Sequence, residues 1–590
     1  MQIYFDRIAH FQQDLNRLNL KSKQLSALRL FLFSLCIFGF YIGFAKEDIR
    51  GWIGLVISVI IFLITIKFHS QLRYRIKVLS NLRDINQKEW GYLTENKLSF
   101  QDGLEFINTQ HHHSYDLDIF GPNSLYQHLN RTHTFIGSKV LSDVLVSNLG
   151  ADEILANQKA IDELAQNMAW RQNFEAISQY VSDNQEDYEF FHNWSDRKIQ
   201  KTGIFIDIAS FILPVILVGT ALYGWIQGVP VLTYLVGIFI LNLSLSFSQL
   251  KKIKREIENS DRIDEITKGY GLLLEEIENQ SFNSSKLLKL QEKIQQKNKK
   301  ASESIRELST LFADLNNIQN VFGAITLNGS LFYHTHRLRK FNQWKSLNAE
   351  NLKNWLDVIG EFEALNSLAN LSYNNPNYCF PQLNTEFQIE FTDLGHPLIS
   401  AKKRVNNDIS FVQKPFTILT GSNMSGKSTF LRTLGINMVL AGIGSVVCAK
   451  SAKVHPMQVL VSMRQSDSLS DSESYFFAEV KRLQELMEML SERPSFVLLD
   501  EILRGTNSDD KQSGTMGVIR KLMEKKVLGM IATHDIEVCR MEMEYPSDII
   551  NRCFEVEILN DELHFDYKLR DGICKNKSAT FLMKKMQIID

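Results

Sequence analysis

A chain of 590 residues with 44% hydrophobic and 22% charged residues and a formal net charge of −2 is long enough to build several cores. Its pI near 6.7 excludes a globally basic nucleic-acid binder, so contact with a phosphate backbone must come from a local patch. Ten prolines and thirty glycines exclude long low-complexity linkers, and the six scattered cysteines have no paired metal or disulfide spacing.

The first elements are apolar. Leu30 to Ala45 and Trp52 to Ile66 run for roughly 15 or 16 residues each, short of a ~20-residue span, and are joined by the charged turn KEDIRG. Lys21, Lys23 and Arg29 precede this pair and Arg73, Arg75 and Lys77 follow it, which predicts a hairpin with both ends cytoplasmic. The same runs as buried helices would be core, and Phe31, Phe33, Phe38, Phe40, Tyr41 and Phe44 face lipid or core accordingly. His111-His112-His113 follows. Three consecutive residues cannot share a helix face and no acid or cysteine completes a set, so metal binding is not expected there.

A second apolar pair, Ile208 to Ile226 and Val229 to Leu250, runs for roughly 19 and 22 residues, enough to cross a ~30 Å hydrocarbon layer. Lys198 and Lys201 stand before it, Lys251, Lys252, Lys254 and Arg255 after it, and its turn, 227–230, is uncharged. Both ends are expected to face the cytoplasm, giving a multi-pass protein of the cell (inner) membrane with a cytoplasmic C-terminal half. Asp207 lies close enough to that face to reach water, and Pro214 is tolerable in a spanning helix. Between 286 and 300, Lys286, Lys289, Lys293, Lys297, Lys299 and Lys300 fall on a predicted helix, either a DNA-phosphate contact or a solvated face.

The C-terminal part alternates strands and helices. Phe416 to Leu419 is a strand-like run leading into TGSNMSGKST, which satisfies G-x-x-x-x-G-K-[ST] through Gly421, Gly426, Lys427 and Ser428 and precedes a helical pattern, FLRTLGINMVLAG. Residues Gly421, Ser422, Asn423, Met424, Ser425, Gly426, Lys427, Ser428 and Thr429 are expected to wrap the phosphates of ATP, with Lys427 reaching the β/γ-phosphates and Ser428 ligating Mg²⁺. A second strand, Phe496 to Leu499, ends in Asp500, assigned to the metal, and Glu501, assigned to the attacking water. A third, Val527 to Ala532, ends at Thr533-His534, where a histidine can bond the γ-phosphate or the water. Three sites at three strand ends fit a parallel sheet, which binds ligands at its carboxyl edge.

TGSNMSGKSTFLR, SDSESYFFAEV, LLDEILRGTNSDD and IATHD, in that order, resemble the ATPase domain of the MutS mismatch-repair family. The resemblance implies that Ser474 reaches across a dimer to the partner's nucleotide, so a homodimer or a pair with a related subunit is expected. It extends upstream more diffusely: Phe120 to Leu145 looks like the family's helical core, Ile253 to Leu371 like its lever arms, and Gly395-His396-Pro397 like the start of its ATPase domain. Departures are Leu503, where the family has Gly, and Ser422 and Ser425, where Pro and Gly are common. Ahead of Asp116 there is no room for mismatch-reading domains, and the only Phe-x-Glu, Phe477-Ala478-Glu479, reads as a core aromatic followed by a helix acid.

The expected fold is therefore multidomain: an α-helical core and lever with two transmembrane hairpins, and a C-terminal α/β P-loop domain of ABC type. The expected divisions are 1–80 for the first hairpin, 81–200 for the first part of the core, 201–255 for the second hairpin, 256–384 for the lever and 385–590 for the ATPase. The expected function is ATP binding and hydrolysis in a dimer, with Lys427, Glu501 and His534 catalytic, acting on DNA in a mismatch-repair or damage-sensing manner at the membrane. The alternative is a membrane-associated ATPase switch that does not bind DNA. No structural metal is expected.

Overall fold

The computed structural model describes every residue except 182, 200–201, 257–262, 296–298, 465–474, 491–492, 505, 560–561, 575–582, 584–585 and 590. The chain opens with two antiparallel helices, α1 (Gln2–Ala45) and α2 (Ile49–Glu95), of 44 and 47 residues. At ~1.5 Å per residue each is about 65–70 Å long, far more than their apolar runs. Glycines bring them together at the apolar end: a Cβ on Gly51 would lie 2.3 Å from the Gly43 nitrogen. Asp48 caps α2 by accepting from the Arg50 N–H. At the polar end α1 and α2 join the core. The Tyr4 hydroxyl donates to Asn374 at 2.7 Å, and Asn81 donates to the Ala176 carbonyl at 2.8 Å. The division expected at residue 80 falls inside α2 because hydrophobic runs mark where a helix meets an apolar medium, not where it stops.

The core is a helical layer. It comprises α3 (Leu125–Leu129), α4 (Phe135–Val146), α5 (Ala151–Gln166), α6 (Met168–Val181) and α7 (Gln185–Asp196). Next come α8 (Ile204–Gln227), α9 (Leu232–Phe247) and α10 (Leu250–Glu256), the last two meeting at a 43° bend. Among the described residues α1, α2 and α8 are long and apolar enough to cross a membrane, and α9 with α10 makes a fourth if taken as one bent span. The expected division at 255 cuts α10, whose Glu256 is buried against Lys345 and the Trp194 indole.

Returning toward the core are α11 (Ile263–Asn279), α12 (Ser285–Ile294), α13 (Ala301–Asn316), α14 (Val321–Leu331) and the 42-residue α15 (Tyr333–Asn374). The first end of α15 meets α8, where Arg339 pairs with Asp207 at 2.7 Å. Its last turns lie in the core, where buried Glu363 accepts from Ser178, Thr134 and the His133 N–H. The lysine segment differs from expectation. Its helix stops at Ile294, Lys297 lies outside the described residues, and Lys286 and Lys293 pair with Glu361 while Lys299 pairs with Glu307. Acids on the packed neighbours α15 and α13 thus hold three of these lysines in ion pairs.

The C-terminal part holds β1 (Gln382–Leu383), β2 (Ile389–Leu394), β3 (Asn407–Ser410), β4 (Phe416–Gly421), α16 (Lys427–Gly442), β5 (Ser451–Val454) and β6 (Gln458–Ser462). It continues with α17 (Tyr475–Met489), β7 (Ser495–Asp500), α18 (Ser508–Glu524), β8 (Leu528–Ala532), α19 (Met541–Glu544), β9 (Ile549–Phe554), β10 (Glu557–Leu559), β11 (Glu562–His564) and β12 (Leu569–Asp571). One sheet runs β12-β9-β4-β8-β7-β6, parallel from β9 to β6 with β12 antiparallel at the edge. A mixed sheet runs β1-β5-β2-β3, and β10 pairs with β11. Because β1 pairs with β5 and Cys379 bridges Val447, this part begins before the expected division at 385.

Candidate nucleotide site

The central strands β4, β8 and β7 are predominantly apolar and buried along their whole length, as a parallel sheet covered on both faces requires. Their register aligns the strand ends. Leu419 and Asp500 each stand opposite Ala532, so the three chains emerge side by side at one edge. The Thr533 N–H donates to the Leu419 carbonyl at 3.0 Å and the Glu501 N–H to the Ala532 carbonyl at 2.9 Å, locking the exits together.

The loop after β4 turns through Met424 (φ 67°) and Gly426 (φ 98°) before α16 begins at Lys427. Gly426 supplies the left-handed turn, and Gly421 leaves room for Ser425, whose Oγ would lie 2.5 Å from an added Cβ. Lys427 is buried, and its ammonium donates to the Gly421 and Ser422 carbonyls at 3.0 and 3.1 Å. Burial pulls its pKa below the ordinary lysine value, against Glu501 and Asp500, which hold it up. The His534 Nε2 lies 3.2 Å from the same ammonium and 2.7 Å from a Glu501 oxygen. That contact, more than any other, holds the Glu501 carboxyl down at about 2.

Asp500 behaves oppositely. It is 6% exposed, and burial raises its pKa above the aspartate norm although Ser428 donates to it. Its Oδ1 is buried with no hydrogen-bond partner, as are the Ser422 and Ser425 hydroxyls. An anionic oxygen left unpaired beside a hydroxyl fits a hard divalent cation, so Asp500 and Ser428 suit Mg²⁺.

The loop following the paired acids is strained and braced. Glu501 (φ 48°) and Leu503 (φ 61°) both lie in the left-handed region that glycine favours. Leu503, 7% exposed, fills the space over Gly514, and its N–H and that of Arg504 donate to the Glu479 carboxylate at 2.6 and 3.1 Å. Glu479 is thus a loop clamp, and Phe477, expected in the core, is 55% exposed on the opposite side of α17. Arg504 returns to the Glu501 carbonyl at 2.9 Å. Ser474 lies outside the described residues, as does Gly505 of the Arg-Gly-Thr motif.

All nine loop residues, Lys427 among them, therefore converge on one edge with Asp500, Glu501 and His534. A cavity of about 470 Å³ opens over the loop and is walled by residues that no sequence motif assigned: Lys403, Arg404, Asn407 and Tyr567, together with His396 of Gly395-His396-Pro397. Tyr567 rests over Gly426, held by Asn407, whose amide donates to the Tyr567 carbonyl at 3.0 Å. No motif announces a tyrosine that arrives from so far downstream. Arg404 had a weak signal, a KKR triplet just after the His-Pro turn.

A turn of the helical core grips this domain. Asp116, 0% exposed, accepts from the Met463 and Arg464 N–H groups at 3.1 and 2.6 Å and pairs with Arg482. Asp118 pairs with Arg464 and, at 3.2 Å, with Arg432 on α16. The neighbouring His111, His112 and His113 lie in a turn, and one ring nitrogen of each falls within 4.8 Å of the others.

The MutS domain V family model matches residues 417–588. The DNA mismatch repair protein MutS of Thermotoga neapolitana is 32% identical over 225 residues, 37% of this chain and 28% of that protein. The protein of that name from Finegoldia magna is 30% identical over 233 residues, 38% and 27% of the two chains. Human MutS protein homolog 4 is 26% identical over 309 residues, 50% and 29% of the two. The chain spans under a third of the length of these relatives. The sheet edge is thus built on a MutS domain V, and the C-terminal part of the chain is similar to MutS-family proteins.

Proposed function

We propose that this chain is a membrane-anchored ATPase of the MutS type, hydrolysing Mg-ATP in a dimer and acting on DNA at the cytoplasmic face of the membrane. The observation that carries the ATPase reading is the unpartnered Asp500 oxygen beside Ser428, directly next to Glu501, which pairs with His534 from the neighbouring strand end. Mg²⁺, held by Ser428 and Asp500, would neutralise charge on the phosphate oxygens. The loop N–H groups and Lys427 bind the phosphates, which requires the ammonium to exchange the Gly421 and Ser422 carbonyls for phosphate oxygens. Glu501, kept ionised by His534, orients the water that attacks in line. His534, bridging Glu501 and Lys427, is placed to report the γ-phosphate to both. Dimerisation through the ATPase domains and a role for Ser474 in the partner's site rest on likeness to the family alone.

The anchoring reading rests on α1, α2, α8 and bent α9–α10, whose apolar side chains are exposed, and on the cationic flanks that favour a cytoplasmic motor. A second reading, a switch that moves membrane helices without DNA, is favoured by one observation: Lys286, Lys293 and Lys299 are already paired with acids. ATP turnover of purified protein in lipid, with and without duplex, mismatched and branched DNA at two salt concentrations, separates them. A salt-sensitive response to DNA supports the first reading. Indifference to DNA together with a response to lipid composition supports the second.

A further inference from the structure

Helix α14 has no charged residue and packs by its small side chains. Ala324, Asn328 and Gly329 are buried, while Val321, Phe322, Ile325, Leu327 and Leu331 are exposed, Phe322 by 80%. A helix with this much uncovered apolar surface is costly in water. Its buried side lies against α9. The Asn242 amide donates to the Gly329 carbonyl at 2.9 Å, and Gly329 sits so close to Phe239 that a Cβ would lie 2.3 Å from the ring. Asn242 is about one and a half turns inside the Phe247 end of α9 and fully buried, so α14 reaches past the helix end into the apolar stretch. An asparagine satisfied by a neighbouring helix's carbonyl is how an apolar medium tolerates that side chain.

The segments on either side of α14 are polar. Arg306, Glu307 and Asp314 lie on α13 before it, and Arg337, Arg339 and Lys340 on α15 after it; Arg339, Asp207 and Ser210 form one bonded cluster at the foot of α8. The turn between α14 and α15 is tight: Phe332 adopts φ 51° and is buried, and the Asn328 side chain accepts from the His334 N–H at 3.0 Å. With 11 residues α14 rises only about 17 Å, short of a ~30 Å hydrocarbon layer, so a chain that is charged on both sides of it enters and exits on one side.

We propose that α14 is a re-entrant membrane element, inserted from the cytoplasmic side with Val321, Phe322, Ile325, Leu327 and Leu331 against acyl chains, and that it forms with α8 and α9 a three-helix membrane foot at the head of α15. The proposal deepens the anchoring reading above and rests on it. The occupant is lipid because the exposed face continues the exposed apolar surface of the helices α14 packs on, including Val218, Ile240 and Leu241. A protein partner would be expected to leave a charged rim, and α14 carries no charged residue.

The test places the photoreactive residue p-benzoylphenylalanine singly at position 322, at 218 on α8 and at 347 on α15, in the full chain reconstituted in phosphatidylcholine vesicles. All three native side chains are exposed, so the label displaces no core. After irradiation, lipid adducts are read by mass spectrometry. Lipid adducts at 218 and 322 but not 347 are expected. Adduct at 218 without adduct at 322 overturns the re-entrant element and leaves the anchor standing, and a cross-link from 322 to protein overturns it in favour of a docking face. Absence of lipid adduct at both 218 and 322 overturns the anchor and the proposal together.

Discussion

The carboxyl edge of the large sheet and the cluster of α8, α9 and α14 lie on opposite sides of the same physical rule. At the sheet edge, charged groups are withdrawn from water and left incompletely paired: Lys427 is buried, Asp500 keeps a bare oxygen, and Glu501 and Leu503 sit in left-handed backbone. In the helix cluster, apolar groups are left exposed while the few polar ones, Asn242, Asp207 and Arg339, are bonded. On the proposed function each region's cost in water is relieved by what it binds, an anion with its cation at the sheet edge and hydrocarbon at the helices. From the helix cluster runs α15, about 63 Å of continuous helix, whose first end meets α8 and whose last turns lie in the helical core.

The largest effect that would break this contrast lies in the chemistry. Glu501→Gln is expected to reduce turnover by about 10²–10⁴-fold while nucleotide binding persists, read by single-turnover hydrolysis and by retention of labelled ATP. Next is the grip of the core on the motor. Asp116→Ala leaves Arg482 and two N–H groups without their anion and should cost about 3–5 kcal/mol in chemical denaturation, with Asp116→Asn less. In the helix cluster, Gly329→Val should destabilise the α9–α14 contact by about 1–3 kcal/mol, because the Phe239 ring has to move aside.

The two acids give a linkage test with opposite signs. Glu501 has a depressed pKa, so its contribution to stability is full above the ordinary value of 4.5 and is lost only as pH falls toward about 2. Asp500 has a raised pKa, so its protonated form is the stabilising one: full below 3.8, lost as pH rises through the raised value. In metal-free buffer at pH 7, Asp500→Asn should therefore raise Tm while abolishing the response of Tm to Mg-ATP, and the gain should vanish below pH 3.8. The smallest effect is at Leu503→Gly. Relief of roughly 1–2 kcal/mol of backbone strain is offset by the loss of a buried side chain worth about 2–3 kcal/mol, a net destabilisation near 1 kcal/mol by thermal melting.

The phosphate loop, the paired acids and His534 could be read from sequence because their chemistry requires particular residue types at fixed distances along the chain, and a parallel sheet brings successive strand ends to one edge. Tyr567, Asn407 and Glu479 could not, since their roles come from tertiary approach between distant segments. Hydrophobic runs located the apolar lengths of α1, α2, α8 and α9, yet missed that α1 and α2 continue for many turns beyond them. The first turns of α1 and the last of α2 are mixed in character, and only packing on α15 and α6 shows what they cover. The lysine run left its pairing out of sight in the same way. Spacing along one helix says nothing of Glu361 on another. Leu503 was visible as a departure, but that it stands at positive φ follows only from the turn.

The most direct measurement is phosphate release by the full chain in lipid nanodiscs, wild type beside Glu501→Gln and Asp500→Asn, with Mg²⁺ supplied or chelated. Magnesium-dependent turnover by the wild type, with ATP bound but uncleaved by Glu501→Gln and no magnesium dependence left in Asp500→Asn, is the expected result. Wild-type turnover that survives both substitutions, or that ignores chelation, would contradict the assignment of this sheet edge as the ATP-cleaving site.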